Sequence, residues 1–491
     1  MSTVSQTDPL TLPFGLQFVP QPDLPDRPAL QSYSWMVHAR GFWLILGGRR
    51  LGLHQFNTSG DNFPKPNQSL WHVNPDTGVV QEMLDLTLVD PEIGDPLMAT
   101  NQLSYYDREA DEWMIIGGYG QDSKLRQNRT FDTLLRIPVK QFCAVVLSGE
   151  TPAKKAAAIN AMVARQHDPF FAVTGGALRR VGSRYLIVFG QGFQGAYNPF
   201  LGIVAQDYLN AVRFFRLDPL TREAIGMGEI NSPDLDAPFH RRDGPVIDTL
   251  DPATGAARIA SFGGVFPPGK LDGYLNPVYI ADRMNQLVAT TDRSVKQLLN
   301  HYECPVVVVW DPQSGMVFHT FFGGISRSYY HQTPAQKAMY DKVTAEGRND
   351  GLPFVADIST LIQNRNGKYI QCIAPLPIPN YRLRGASADF IPLLPSNNPA
   401  ISADGIVDLA RIGPGATVPI GHIYGGIDAD FPLPKIPNYG SQATNAIYRV
   451  MLTNSPSAGH IPASQAHLAN GVLPPPAKSV NEFTSESQPR T

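Results

Sequence analysis

The sequence predicts an all-β fold, a six-bladed β-propeller with short helical insertions. Three observations predict it: a β-rich run ending in glycines that recurs six times, tight turns just ahead of those runs, and an apolar segment after each. The runs read FWLILGG (42–48), EWMIIGG (112–118), RYLIVFGQG (184–192), RIASFGG (258–264), VFHTFFGG (317–324) and GHIYGG (421–426). Their glycine ends recur roughly every 60 to 100 residues, more than a minimal blade repeat of about 50, and loops take up the excess.

Each unit has the same internal order. LSYYDREAD precedes EWMIIGG, PVIDTLDPATG precedes ARIASFGG, and PVVVVWDPQSG precedes MVFHTFFGG. Asp-Pro-x-x-Gly between two apolar runs is hairpin chemistry, because Pro presets φ and Gly supplies φ > 0. After each glycine run comes a polar loop and a third strand: SLWHVNPD, DTLLRIPV, AVRFFRLDP, NPVYIADR, PFVADISTL and NAIYRVMLT. A fourth, weaker strand follows in most units, as in VVQEMLD, QFCAVVL and KYIQCIA. The glycines are expected where the second strand packs so closely on the neighbouring unit that a side chain would hold the two apart. A β-sandwich with glycine turns is the alternative, but sandwiches do not repeat one pattern six times over so long a chain.

These features resemble the kelch-repeat superfamily, with a propeller like the central domain of galactose oxidase, over residues 30–455. The phrases DPFFAVTGGAL (168–178), FHRRDGPV (239–246), LNHYECPVV (299–307) and FFGGIS (321–326) are similar to phrases in uncharacterised bacterial kelch proteins. The later Tyr-Asp…Trp signature is degenerate: LWHVNPDTG and FFRLDPLTR keep the turn and lack the Trp. The resemblance implies the fold and brings no activity. No stretch matches the tyrosine, histidine and Cys–Tyr pattern of a radical copper site.

The expected units span 30–90, 96–150, 170–231, 238–293, 303–376 and 385–455. A ring of sheets needs closing, and LPFGLQFVP (12–20), in the N-terminal segment 1–29, can supply the outer strand of the last unit near Asn445–Leu452. The tail 456–491 is rich in Pro and Ser, shows no strand pattern, and reads as a flexible or surface-draped extension. Helices are expected at 151–166, where Thr-Pro is a good cap and first turn, at 294–302, and at 333–348.

Composition excludes several classes. A net charge of -3 offers no basic excess for a phosphate backbone, so nucleic acid is not an expected partner. Cys143, Cys304 and Cys372 are far apart and form neither a disulfide framework nor a zinc-binding pair. No secretion signal opens the chain and no apolar run spans a bilayer, so a cytoplasmic location is expected. Walker, Rossmann and GxSxG fingerprints are absent, and no cofactor is expected.

Topology narrows the search for a site. Strands alternate in direction, so loops after second strands share a face with loops entering first strands. On that face the kelch resemblance places the ligand, around the central channel. Arg49, Arg241, Arg242, Tyr302, Arg327 and Tyr329 lie in these two loop classes and are the candidate ligand-binding residues. Guanidinium forks beside aromatic rings suit a carboxylate or a sugar, although the same arginines could lock neighbouring units together. His240, Asp243, His301, Glu303 and His331 have metal-ligand chemistry but no metal-binding spacing, and no metal is expected. The expected function is a binding or assembly module presenting a rigid face to a protein or glycan partner. The alternative is an enzyme acting on a small anionic or sugar substrate, with His240 or His301 as acid/base. An enclosed cavity faced by a carboxylate or histidine would favour the enzyme.

Overall fold

The computed structural model of the chain describes residues 11–22, 24, 26–53, 63, 65–197, 205–270, 272–327, 329–332, 337–340, 352–374, 378, 383–432, 440–455, 459–460 and 466–467. It is mostly β, organised around six antiparallel sheets of like connectivity. Sheet I holds Ser34–Val37, Trp43–Leu46, Ser69–Val73 and Val80–Asp85. Sheet II holds Leu103–Asp107, Glu112–Ile116, Thr133–Pro138 and Ala164–His167. Sheet III holds Ala177–Val181, Arg184–Val188, Ala211–Leu217 and Ala224–Asn231. Sheet IV holds Val246–Leu250, Ala257–Ser261, Val278–Arg283 and Gln286–Thr291. The core of sheet V is Val306–Asp311, Met316–Phe322, Ile358–Gln363 and Tyr369–Ile373. Sheet VI runs Asp389–Pro392, Thr417–Tyr424, Ile447–Thr453, and its fourth strand is the N-terminal Gly15–Pro20.

That fourth strand pairs antiparallel from Gly15↔Thr453 to Pro20↔Tyr448, at the position expected for residues 12–20. Leu12 and Phe14, just ahead of it, are buried in the apolar cluster between sheets V and VI. The tail, which reads as strandless, contributes two short strands: Gly459–His460 on Thr11–Leu12, and Ala466–His467 on the outer edge of sheet V. Two-residue strands carry too little periodicity to be seen in sequence.

The hairpins form where Asp and Gly were read. In sheet V, Gly315 N–H donates to the Asp311 carbonyl (2.8 Å) while the Asp311 carboxylate accepts from Gln313 N–H (3.0 Å). Sheet IV repeats the device at Asp251 and Gly255.

Helix α1 is Pro91–Met98, α2 is Val139–Val146 and α3 is Pro152–Met162. α3 falls inside 151–166, with Thr151 at the cap and Pro152 in the first turn. QFCAVVL, read as a fourth strand, lies in α2, and sheet II takes Ala164–His167 instead. Val139, Phe142, Cys143 and Val146 are its buried residues, a spacing of three and four that belongs to a helix. Residues 294–302 form no helix. Their groups bond outward, as Leu298 N–H to Gln371 (2.6 Å) and Asn300 N–H to Ser326 (3.2 Å), and so short a segment does not nucleate alone. Within 333–348, Lys337–Tyr340 is a strand paired with Tyr329–Gln332; the rest of that expected helix lies outside the described residues.

Neighbouring sheets pack in chain order, and the sixth packs on the first. Met36 and Leu44 of sheet I meet Trp113 and Ile115 of sheet II. Met114 meets Ile187 between II and III, Leu186 meets Ile259 between III and IV, and Ala260 meets Phe321 between IV and V. Phe318 meets Ile420 between V and VI, and Trp43 of sheet I shares a cluster with Tyr424 and Ile447 of sheet VI. The glycine pairs sit at these seams. The second glycine donates its N–H to the carbonyl of the segment entering the next sheet: Gly48 to Ala99 (3.0 Å), Gly118 to Val173 (3.0 Å), Gly324 to Arg384 (3.0 Å), and Gly426 to Leu30 (2.8 Å). A Cβ on the first glycine would overlap the same carbonyl oxygen at Gly117 and at Gly323.

One further set of bonds joins all six sheets. The residues before the first strands are Ser32, Asn101, Gly175, Asp243, Glu303 and Ser387, and all six have positive φ, from 47° to 65°. Each N–H donates to the carbonyl of the preceding member: Asn101 to Ser32 (3.2 Å), Gly175 to Asn101 (3.1 Å), Asp243 to Gly175 (2.8 Å), Glu303 to Asp243 (2.7 Å), Ser387 to Glu303 (2.6 Å), and Ser32 to Ser387 (3.1 Å). The circuit is closed.

Two substitutions separate backbone strain from seam contact. Gly323 (φ 60°) and Gly255 (φ 71°) both need the left-handed region, but nothing lies within 4 Å of a Cβ on Gly255. Gly255→Ala should cost about 1 kcal/mol and Gly323→Ala about 3 kcal/mol or more, read from calorimetric melting. Equal losses would mean that the seam is not close-packed. Removing residues 1–22 strips the outer strand of sheet VI and should lower the melting temperature by several degrees; an unchanged melt would show that the strand does not hold the last sheet.

Candidate functional site

The first strands of all six sheets line one cavity of about 910 Å³. Its floor is the closed circuit. Side chains fill the circuit's centre: Asn101 Nδ2 donates to Glu303 Oε1 (2.8 Å), reaching from sheet II to sheet V, and Ser387 Oγ donates to Glu303 Oε2. The cavity extends to the hairpins joining first and second strands, where Glu109 and Gly182 are exposed.

The wall between floor and mouth carries the chemistry. Asp248 stands on the first strand of sheet IV, Asp389 on that of sheet VI, and Arg179 on that of sheet III, with Trp35 and Tyr105 from sheets I and II. Arg179 Nε lies 3.7 Å from Asp248 Oδ2, and its Nη1 donates to the Leu178 carbonyl (2.8 Å) and its Nη2 to that of Val246. Asp404 comes from elsewhere. The connection between the first two strands of sheet VI sends Val407–Asp408 to pair in parallel with Val309–Trp310 of sheet V, and the turn before that pairing carries Asp404.

Burial pushes the Asp248 carboxyl up to about 6, against the pull of Arg179 and with a further push from Asp404. Burial pushes Asp389 up to about 6 as well, again opposed by Arg179, with Trp35 donating to the charged form. At the floor, burial raises both Asp243 and Glu303, and the two carboxyls hydrogen-bond to each other, so they hold a proton between them. Arg242 Nε stands 3.1 Å from Asp243 Oδ2 and offsets part of the desolvation.

The six sequence-derived residues divide. Arg49 and Arg242 both act on the floor pair, on the side away from the cavity. Arg49 also lies over the Phe63 ring at 4.1 Å, and Arg242 over Phe266 at 5.1 Å. Arg241 is turned elsewhere. It is 1% exposed and donates to the carbonyls of Pro238 (2.7 Å), Gly263 (2.9 Å) and Asn276 (3.3 Å), with Tyr274 at 4.2 Å. Tyr302 is buried in an apolar cluster with Val265, Ile325 and Phe354. Arg327 pairs with Asp272 (3.0 Å) beyond the circuit. Tyr329 falls on a strand, and its side chain, like that of His331, lies outside what is described. Among the described residues no three His, Cys, Asp or Glu come together as a metal site. His240 stacks on Tyr208 at 3.8 Å, and His301 is buried between the Gly323 carbonyl (2.6 Å) and Ser359 Oγ (2.7 Å), so neither faces the cavity as an acid or base.

Sequence reasoning missed Asp248, Asp389, Asp404, Arg179, Trp35 and Tyr105. All but Asp404 lie on first strands, where a carboxylate or arginine interrupting an apolar innermost strand was the available signal. No protein-family model matches the chain, and no curated protein matches it. A solved structure titled "Structure of YjhT" aligns over 86% of this chain and 99% of that one, with 11% identity and a TM-score of 0.44. No described helix is long and apolar enough to cross a membrane.

The wall carboxyls give a pH dependence with a defined sign. Their folded pKa, about 6, lies above the unfolded value of about 4. Such groups favour folding most while protonated in both states, and that contribution is lost as pH rises through about 6. Asp248→Asn removes one of them. Its melting temperature relative to the parent protein should rise between pH 4.5 and pH 7.5, and a difference that stays flat would refute the assignment.

Proposed function

We propose that the chain is a six-bladed kelch-type propeller, with sheets I to VI as its blades, and that it works as a binding module taking the end of a glycan into its central cavity. The cavity carries this reading: about 910 Å³, lined by all six sheets, and walled by carboxylates beside an indole and a phenol. Carboxylates accept hydrogen bonds from paired hydroxyls, and aromatic faces pack on the apolar side of a sugar ring. Its volume falls in the range of ligand pockets, about 300 to 1,000 Å³. Entry is from the hairpin end, opposite the loops that carry Arg49 and Arg242, because the closed circuit fills the axis on their side.

The test is glycan-array screening of the full chain followed by calorimetric titration. Ala403 is exposed and lines the mouth, so Ala403→Trp should block entry without touching the core. Binding by the parent protein and loss of at least tenfold in affinity by the variant, at unchanged melting temperature, is the expected result. No retained glycan, or equal binding by the variant, overturns the reading. A second reading, catalysis on a small sugar in the same cavity, is favoured by the proton-sharing Asp243–Glu303 pair at the floor. It requires that a bound sugar be converted, which proton NMR of the titrated sample would detect.

A further inference from the structure

Three histidines are buried among the described residues, His301, His319 and His422, and the first two meet in one seam. His319, on the second strand of sheet V, lies 4.9 Å from the Phe262 ring, and its Nε2 bonds Thr249 Oγ1 of sheet IV (2.8 Å). His301, in the segment entering sheet V, stacks on Phe321 at 5.6 Å, and Phe321 packs on Phe262 at 5.2 Å. Both imidazoles therefore stand between sheets IV and V. The Gly323 carbonyl can only accept, so His301 Nδ1 carries the hydrogen and Nε2 accepts from Ser359 Oγ, which takes Gln371 Nε2 in turn (3.0 Å). His319 Nδ1 closes no hydrogen bond, although the Leu361 carbonyl pulls weakly on it. Among the described residues no carboxylate offsets a charge on either ring. Arg258, over the Tyr279 ring at 3.8 Å, opposes charge on His319. Asp251 attends Arg258 at 3.9 Å, and Asp292 acts on the Tyr279–Tyr369 hydroxyl pair. Asp357 gives its carbonyl to Gly323 N–H (3.0 Å), and the neutral Cys304 thiol donates to the His301 carbonyl (3.3 Å). His422 stands alone on sheet VI beside Trp43 of sheet I, with Arg449 and Asp76 as its charged neighbours.

We propose that the seam between sheets IV and V is an acid-opened joint of the ring, shut only while its two imidazoles are uncharged. A charge there has no acceptor to meet it and lies in a packed aromatic cluster, so the way to solvate it is to part the sheets. Burial holds His301 down to about 4 and His319 down to about 3, below the unfolded value of about 6.5. Their contribution to folding is whole above pH 6.5 and is lost as pH falls from there toward the folded values. Asp243 and Glu303 act the other way, because their raised carboxyls shed repulsion on taking a second proton, so opening on acidification belongs to the imidazoles. The seam carries one bond of the circuit, from Glu303 N–H to the Asp243 carbonyl, and the first strands on both its sides line the cavity. Opening it interrupts the circuit and parts the cavity wall.

Hydrogen exchange of the full chain tests it, read by mass spectrometry at pH 7.0 and pH 4.5 and corrected for the intrinsic rate at each. Peptides carrying the Glu303 amide, and the Gly263 amide that donates to Gln297 (3.1 Å), should lose at least tenfold in protection at pH 4.5. Those carrying the equivalent circuit amides of Asn101 and Gly175 should keep theirs. His301→Gln combined with His319→Gln leaves no ring to charge and should hold Glu303 protected at pH 4.5. Where that double variant does not fold, His319→Gln alone, which can still bond Thr249, should move the loss to lower pH. Loss of protection at all six seams together, or first at another seam, overturns the joint, and so does a folded variant that opens at the same pH as the parent protein.

Discussion

The closed circuit of six backbone hydrogen bonds is the constraint on which the rest of the molecule depends. Each bond joins one sheet to the next, and the last returns to the first. The bond requires every participating residue to turn its N–H and C=O around the axis, and the left-handed backbone at all six positions does that. Five of the six are not glycine, so each accepts a strain of about 1 kcal/mol, which persists only because the surrounding structure fixes it. In return all six first strands start at one level and run outward together, and that parallel start creates a lined cavity instead of a collapsed core.

The glycine seams work with the circuit at larger radius. At each seam the second strand ends against the segment that is about to enter the next circuit position. Gly324 bonds the Arg384 carbonyl three residues before Ser387, and Gly48 bonds the Ala99 carbonyl two residues before Asn101. The spacing between neighbouring sheets is therefore fixed by backbone contact at two radii, with apolar side chains filling the space beyond. Arg241 performs the same duty with a side chain. Its guanidinium gathers carbonyls from three segments of sheet IV's loops, and burial lowers it to about 10 without taking away its charge at neutral pH.

These two devices explain what was legible in the sequence. A seam favours glycine at both positions, so GG is visible in RIASFGG and VFHTFFGG even though sheet III places Phe189 (φ 60°) ahead of Gly190, and the strands around it follow from apolar runs and Asp-Gly turns. A circuit bond is made by backbone, so Ser32, Asn101, Gly175, Asp243, Glu303 and Ser387 share a conformation and no chemistry, and nothing in a single sequence aligns them. The closed end of the axis was hidden for that reason. Loop classes place Arg49, Arg241 and Arg242 on one face, but they cannot tell which of three arginines turns to the axis and which turns to carbonyls. The cavity wall was hidden for another. Asp248 lies in VIDTL and Asp389 in ADFIP, ordinary strand segments whose carboxylates become unusual only once six such strands face one another.

The same geometry divides the acidic groups into two kinds. At the floor, Asp243 and Glu303 lie side by side inside the circuit, where two charges would repel directly, so the pair keeps a proton and carries one charge, offset by Arg242. On the wall, Asp248 and Asp389 stand on separate sheets and Asp404 on an inserted turn, and Arg179 opposes the rise of the first two. The pKa of Asp248 and Asp389 rises only to about 6, below neutral pH, so each keeps its charge where the floor pair keeps one of two. Cross-axis closure therefore depends on two carboxyls that have given up one charge between them, while the wall retains its own. The cavity therefore has a floor whose charge is halved by a shared proton and offset by Arg242, and a wall whose carboxylates share the single guanidinium of Arg179, so its charge stands on the wall and not at the closed end.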